Sequence, residues 1–83
     1  MFLEIITPDE KVFEGEVMYA TFPGADGVFQ ILNNHAPLVS ILGKGDIKYR
    51  QEKEKEVHIL AEGGVVEVKN NSVNVLLEKI YNE

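Results

Sequence analysis

The side chains of this sequence that could do chemistry are its two histidines, two serines and a surplus of carboxylates. Their spacing argues against catalysis. His35 falls among turn formers, and His58 within a run of alternating apolar residues, out of phase with Val57 and Ile59 and so facing the other surface of its sheet. A zinc centre needs several ligands converging from short spacings; here there is no HxH or HxxxH pair and no cysteine. Neither Ser40 nor Ser72 sits in the strand-to-helix elbow that exposes a nucleophile. Glu14, Glu16, Asp26, Glu62 and Glu67 mostly alternate with apolar neighbours and face water, whereas paired-carboxylate hydrolysis needs two such groups in a cleft with one pKa raised. Gly24 and Gly27 lack the following lysine and helix of a phosphate loop. No catalytic residue, cofactor or metal is expected. What remains is an interaction domain.

The elements that would position these residues are short strands. Turn signals recur every few residues, and the segments between them favour period two, the pattern of a sandwich or barrel. Phe2 to Thr7 is apolar and stopped by Pro8-Asp9. Lys11 to Glu14 and Glu16 to Phe22 flank Gly15, which reads as a bulge. Pro23 to Gly27 is a turn cluster, Val28 to Leu32 a strand, Asn33 to Pro37 a break and Leu38 to Leu42 another strand. Gly43-Lys44-Gly45 reads as a turn. Asp46 to Gln51, with Ile47 and Tyr49 on one side, forms a hairpin with Val57 to Glu62, and Glu52 to Glu56 is its solvated tip. Gly63-Gly64 then links to a second hairpin, in which Val66 and Val68 face Val73, Val75 and Leu77 across Asn70-Asn71, a pair able to take positive φ. The tail Lys79 to Glu83 is too short for a stable helix. The expectation is an all-β fold: a single small β-sandwich of about ten short strands spanning residues 1–83.

At 83 residues the chain fits one domain. Its net charge of −6 repels a phosphate backbone, which excludes nucleic acid, and attracts a basic protein partner. No apolar run approaches the roughly 20 residues that span a bilayer. The start Met1-Phe2-Leu3-Glu4 has neither the basic residues nor the apolar core of a leader, so the default expectation is the cytoplasm. So small a domain buries a modest fraction of its surface, and docking onto a larger partner would add stability.

One stretch is far more specific than the rest. Phe22-Pro23-Gly24-Ala25-Asp26-Gly27, Val28-Phe29-Gln30-Ile31-Leu32 and Asn33-Asn34-His35-Ala36-Pro37-Leu38-Val39 together resemble the signature of the ATP synthase epsilon subunit. That signature is a small-residue glycine turn, a short strand, then His-Ala-Pro-Leu. Leu3 to Pro8, Val12 to Gly15, Gly63 to Val68 and Val73 to Leu76 lie in the family's order and spacing. The resemblance covers Phe2 to about Glu78. It implies a β-sandwich at the foot of the central stalk, packed against the gamma subunit and resting on the membrane ring of proteolipid subunits (the c-ring). Such a domain is non-catalytic and belongs to a hetero-oligomeric complex. It lies peripherally at the cytoplasmic face of the inner membrane and fixes shaft to ring so that proton flow drives rotation and ATP synthesis. The residues matching the family's ring-facing loops are Asp26, Gly27 and Val28, then Asn33, Asn34 and His35; Ser40 matches a gamma-subunit contact. Asp26 could make a charge-assisted bond to ring arginines.

Several positions depart from the family pattern. Val28 stands where many members carry an acid, and Gln30 replaces a common glycine. Asn33-Asn34 replaces a common Pro-Gly, so the turn is expected to survive with less rigidity. Many members continue into a two-helix hairpin that can extend and block hydrolysis, and in some binds ATP; here the expectation is a short form without it. The alternative is a free-standing β-sandwich that binds protein or a ligand such as carbohydrate. A carbohydrate site needs clustered exposed aromatics, and this chain has no Trp, with Tyr19, Tyr49 and Tyr81 spread apart. A small β-barrel enzyme would need the catalytic constellation missing above.

Overall fold

A computed structural model describes residues 1–81. Asn82 and Glu83, the end of the tail considered above, lie outside the described residues. Seven strands are present: β1 (Phe2–Ile6), β2 (Lys11–Glu16), β3 (Tyr19–Gly24), β4 (Gly27–Leu32), β5 (Leu38–Arg50), β6 (Val57–Lys69) and β7 (Ser72–Tyr81). They form one sheet in the order β2-β1-β7-β6-β5-β3-β4. All neighbours are antiparallel except β1 and β7, which run parallel.

The sheet folds over its own core. The rings of Phe13 on β2 and Tyr49 on β5 lie 4.3 Å apart although β1, β7 and β6 separate those strands in the sheet order. Likewise Met18 N–H donates to the Arg50 carbonyl at 2.7 Å and Val17 N–H to the Met1 carbonyl at 2.9 Å, tying the β2–β3 link to both layers. Between the layers lie Leu3 and Ile5, Ala20 and Phe22, Ile31, Ile47, Ala61, Val66, Val68, Val73, Val75 and Leu77, and among the described residues no polar or charged side chain is buried with them. Each large apolar side chain enclosed in this way contributes about 1.5–3 kcal/mol.

The expected class holds, with fewer strands than the sequence suggests. Gly43-Lys44-Gly45 and Gly63-Gly64 are not turns. They lie inside β5 and β6, each 13 residues long and serving both layers. At these glycines the inward-facing set changes phase. Along β5 it runs Leu38, Ser40 and Leu42, then Ile47 and Tyr49; along β6, Ile59 and Ala61, then Val66 and Val68. On β7 it runs Val73, Val75 and Leu77, then Ile80. The switches are level with one another, since Leu42 pairs with Gly64 and Gly64 with Leu77, while Lys44 pairs with Glu62 and Glu62 with Lys79. A phase change on one strand alone would turn a hydrophobic set to solvent; made together on three, it keeps the ladder intact.

Other boundaries also move. Gly15 lies within β2, paired with Leu3, and the chain breaks at Val17-Met18 instead. The bulge falls where Ile5 and Ile6 pair with Phe13 and Lys11, leaving Val12 extra. The Pro23–Gly27 cluster reduces to the turn Ala25-Asp26, and β7 carries Lys79 to Tyr81 as strand. The Asn70-Asn71 turn is as expected, with φ of 52° and 59°.

Gly64 tests the shared bend. Its φ is +148°, and a Cβ there would sit 2.3 Å from the Leu76 carbonyl oxygen, whereas Gly27 at φ +133° has open space around it. Gly64→Ala is expected to cost on the order of 3 kcal/mol in urea unfolding, and Gly27→Ala about 1 kcal/mol, the strain alone. Equal costs would mean that the close approach to β7 does not constrain the bend.

Candidate partner-binding surfaces

Six of the residues singled out from the sequence lie along one sheet edge. β4 is the last strand of the sheet, paired only with β3. Asp26 occupies the turn that enters it, Gly27 and Val28 begin it, and Asn33, Asn34 and His35 follow its end. Six extended residues cover about 17–20 Å. Asp26 and His35 therefore do not converge; they mark the two ends of a strip. The strand is held from inside by Ile31, fully buried, and by Phe29, whose ring lies 5.6 Å from that of Phe22. Its outward residues are Val28, which is 76 % exposed, Gln30 and Leu32. Gln30 and Leu32 did not stand out in the sequence as site residues, although they alternate with Phe29 and Ile31. Between those ends, β4 itself has no charged residue and no proline. The opposite edge, β2, carries Lys11, Glu14 and Glu16, the charged blunting usual for a free strand.

At the far end of β4, polar groups are engaged within the molecule. Asn33 Oδ1 accepts from the Met1 amino group at 3.2 Å and from Asn71 Nδ2 at 2.9 Å, and Asn34 N–H donates to Asn71 Oδ1 at 2.7 Å. His35 is half-buried with Nδ1 2.7 Å from the Ala36 carbonyl. A carbonyl only accepts, so Nδ1 is the donor in this contact.

A second surface crosses the outer face of the β1-β7-β6-β5 layer. Ser40 shares the inward phase of Leu42 and is half-buried, its hydroxyl 3.4 Å from the Ile41 carbonyl. The neighbouring side chains point out instead: Val39 is 69 % exposed and Ile41 66 %. Ile41 pairs with Val65, Val65 with Leu76, and Leu76 with Ile6. The result is an apolar row across four strands, flanked by the row Val39, Glu67, Asn74 and Glu4. A contiguous exposed apolar row on a small domain marks a surface that another protein covers. Sequence reasoning chose Ser40 and missed the row. The signal was there: Leu38 to Leu42 has no charged residue on either face, as in strands covered on both sides.

Away from β4, the outer face of the other layer carries paired polar groups. Tyr19 donates its hydroxyl to Glu56 at 2.6 Å, and His58, exposed as its phase predicted, lies with Nε2 2.8 Å from the same carboxylate. The Tyr19 hydroxyl, and after it His58, hold the Glu56 carboxyl below its ordinary range, and the Tyr19 hydroxyl is raised in turn. Lys44 and Lys79 lie 4.9 and 4.7 Å from the Tyr81 ring centre, while its hydroxyl bonds Glu62. Among the described residues, no group of three or more His, Asp or Glu side chains is placed to hold a metal ion.

Residues 1–83 match the family model described as the beta-sandwich domain of the ATP synthase delta/epsilon chain. The chain belongs to this family. An ATP synthase epsilon chain of Maridesulfovibrio salexigens is 45 % identical over 78 residues, covering 94 % of this chain and 54 % of that protein. One from Chlorobium limicola is 38 % identical over 78 residues, covering 94 % of this chain and 89 % of its own length. The chain thus spans little more than half of several epsilon-chain relatives and most of another. The fold matches a chain of the Euglena gracilis mitochondrial ATP synthase (OSCP/F1/c-ring) with TM-score 0.88 at 22 % identity, covering 95 % of this chain and 51 % of that one. It also matches a chain of the Tetrahymena thermophila central stalk/c-ring at TM-score 0.81 and 20 % identity, covering 98 % and 65 %.

The tyrosines report on the polar face of this epsilon-family domain. All three ionise above the ordinary value of 10.0: Tyr19 through Glu56, Tyr81 through Glu62 and Tyr49 through burial. A raised folded pKa gives stability that is full below the unfolded value and is lost as pH rises through the folded one. In a spectrophotometric titration, Glu56→Gln should bring the Tyr19 transition down and leave Tyr49 in place. A Tyr19 transition that stays where it was would show that the carboxylate is not its partner.

Proposed function

We propose that this domain is a central-stalk component of a proton-translocating F-type ATP synthase, fastening the gamma subunit to the membrane ring. The observation that carries this reading is the apolar row Ile41, Val65, Leu76 and Ile6, of which the first three stand exposed and Ile6 is half-buried, on an otherwise well-formed sandwich. In this reading the row lies against the gamma subunit, next to Ser40, and the β4 edge from Asp26 to His35 rests on the ring.

The two surfaces suit different tasks. The apolar row gains from burial, which holds the domain to the shaft through slow release. The β4 strip offers an acid at one end and an imidazole at the other. Against basic, polar ring loops those groups give direction and register more than affinity. No proton or phosphate is handled by the domain. It transmits torque, which requires both surfaces to belong to one stiff body, and the sheet closed on its own core supplies that. The complex brings the domain to the membrane peripherally, at the cytoplasmic face. The relation to epsilon chains and the likeness to chains of central-stalk and c-ring assemblies support the reading.

Ile41→Glu is expected to weaken binding to the gamma subunit by at least about tenfold, as loss of an interface anchor does, with the β-sheet circular dichroism unchanged. Unchanged gamma binding would remove the row from the interface. Asp26→Lys combined with His35→Ala should leave gamma binding intact and lower ATP-driven proton pumping in the assembled complex. Normal pumping would show that the β4 edge is not the ring contact.

A further inference from the structure

The turn that carries His35 is built from residues that are poor at stiffening a turn alone. Asn34 has φ of 61°, and positive φ at the second central residue with a negative value before it is the type II pattern, which favours proline then glycine. Asparagine tolerates that conformation but does not enforce it. The loop that follows, His35-Ala36-Pro37, has no strand pairing of its own.

Stiffness comes from across the sandwich. Asn71, in the β6–β7 turn, accepts from the Asn34 backbone N–H through Oδ1 at 2.7 Å and donates through Nδ2 to Asn33 Oδ1 at 2.9 Å. One primary amide therefore engages both central residues of the β4–β5 turn, and it uses both its polar ends to do so. β4 and β7 are not neighbours in the sheet, so the clamp joins parts that the strand ladder leaves unconnected. Asn71 itself is half-buried and held at φ 59° in a two-residue hairpin turn, which fixes the direction of its side chain.

We infer that Asn71 is a positioning residue: its side-chain amide clamps the Asn33-Asn34 turn and so holds His35 in the orientation it presents to the ring. This rests on the β4 edge being the ring contact. It makes the double asparagine a device equivalent in rigidity to Pro-Gly, provided the partner amide is present. Asn70, beside it and fully exposed, has no part in the clamp.

Asn71→Gly isolates the clamp, because glycine keeps the positive φ at no steric cost while the amide is lost. In the full chain, Asn34 amide exchange measured by NMR should quicken about tenfold, the factor one hydrogen bond is worth. In the assembled complex, gamma binding should be unchanged, and ATP-driven proton pumping should fall towards that of His35→Ala. If Asn34 amide exchange in the unaltered chain is as fast as in an unprotected peptide, the clamp does not exist and the inference fails. If exchange quickens but pumping holds while His35→Ala lowers it, Asn71 does not position His35, though the ring contact stands. If His35→Ala leaves pumping normal, the ring-contact reading fails, and the positioning role falls with it.

Discussion

One constraint governs the molecule: three adjacent strands must change which face they turn inward, and must do so at the same level. β5, β6 and β7 make that change at Gly43–Gly45, Gly63–Gly64 and Glu78, in register across the sheet. Without it, a sheet of seven strands would present one apolar face with nothing to cover it. With it, the same sheet supplies both layers of the sandwich. The close approach of Gly64 to the β7 backbone and the absence of buried polar side chains both follow from that crossing.

The division of labour on the surface follows as well. Once both inner faces are spent on the core, the apolar residues left outside fall mainly in two places: the β4 edge, with Val28 and Leu32, and one row across a layer with Val39 beside it. Ile6, Leu76, Val65 and Ile41 align across one layer, while the other layer shows paired acids, bases and tyrosines. The free edge β4 lies away from the charged edge β2, at the other end of the sheet order.

Local pattern made part of this legible. The hairpin from Val66 to Leu77 alternates cleanly, and its Asn70-Asn71 turn was readable residue by residue. The Gly24–Gly27 cluster and the break at Asn33 to Pro37 bracket β4 in the sequence as they do in the sheet. The glycines of β5 and β6 misled because Gly43-Lys44-Gly45 and Gly63-Gly64 carry, in one dimension, the same signal as turns. Only the cross-strand pairing shows that they stack level and continue the strands. The apolar row was hidden for a related reason: each of its members looks like core within its own strand, and its exposure depends on which neighbour the strand order brings alongside. The Asn33–Asn71 contact links residues far apart in sequence, and no local rule would pair them.

The parallel pairing of β1 with β7 has a consequence for how the protein is made. Strand β1 finds β2 on one side, but its other partner is β7, the last of the described strands. Until Ser72 to Tyr81 emerge, both β1 and β6 present open edges, and the core lacks Val73, Val75 and Leu77. Closure is thus a late event that inserts the final strand between two that are already present, the kind of non-local step that slows folding and leaves nascent chains exposed to one another. Assembly of the sandwich therefore waits for the Ser72–Tyr81 segment, the last of the described strands.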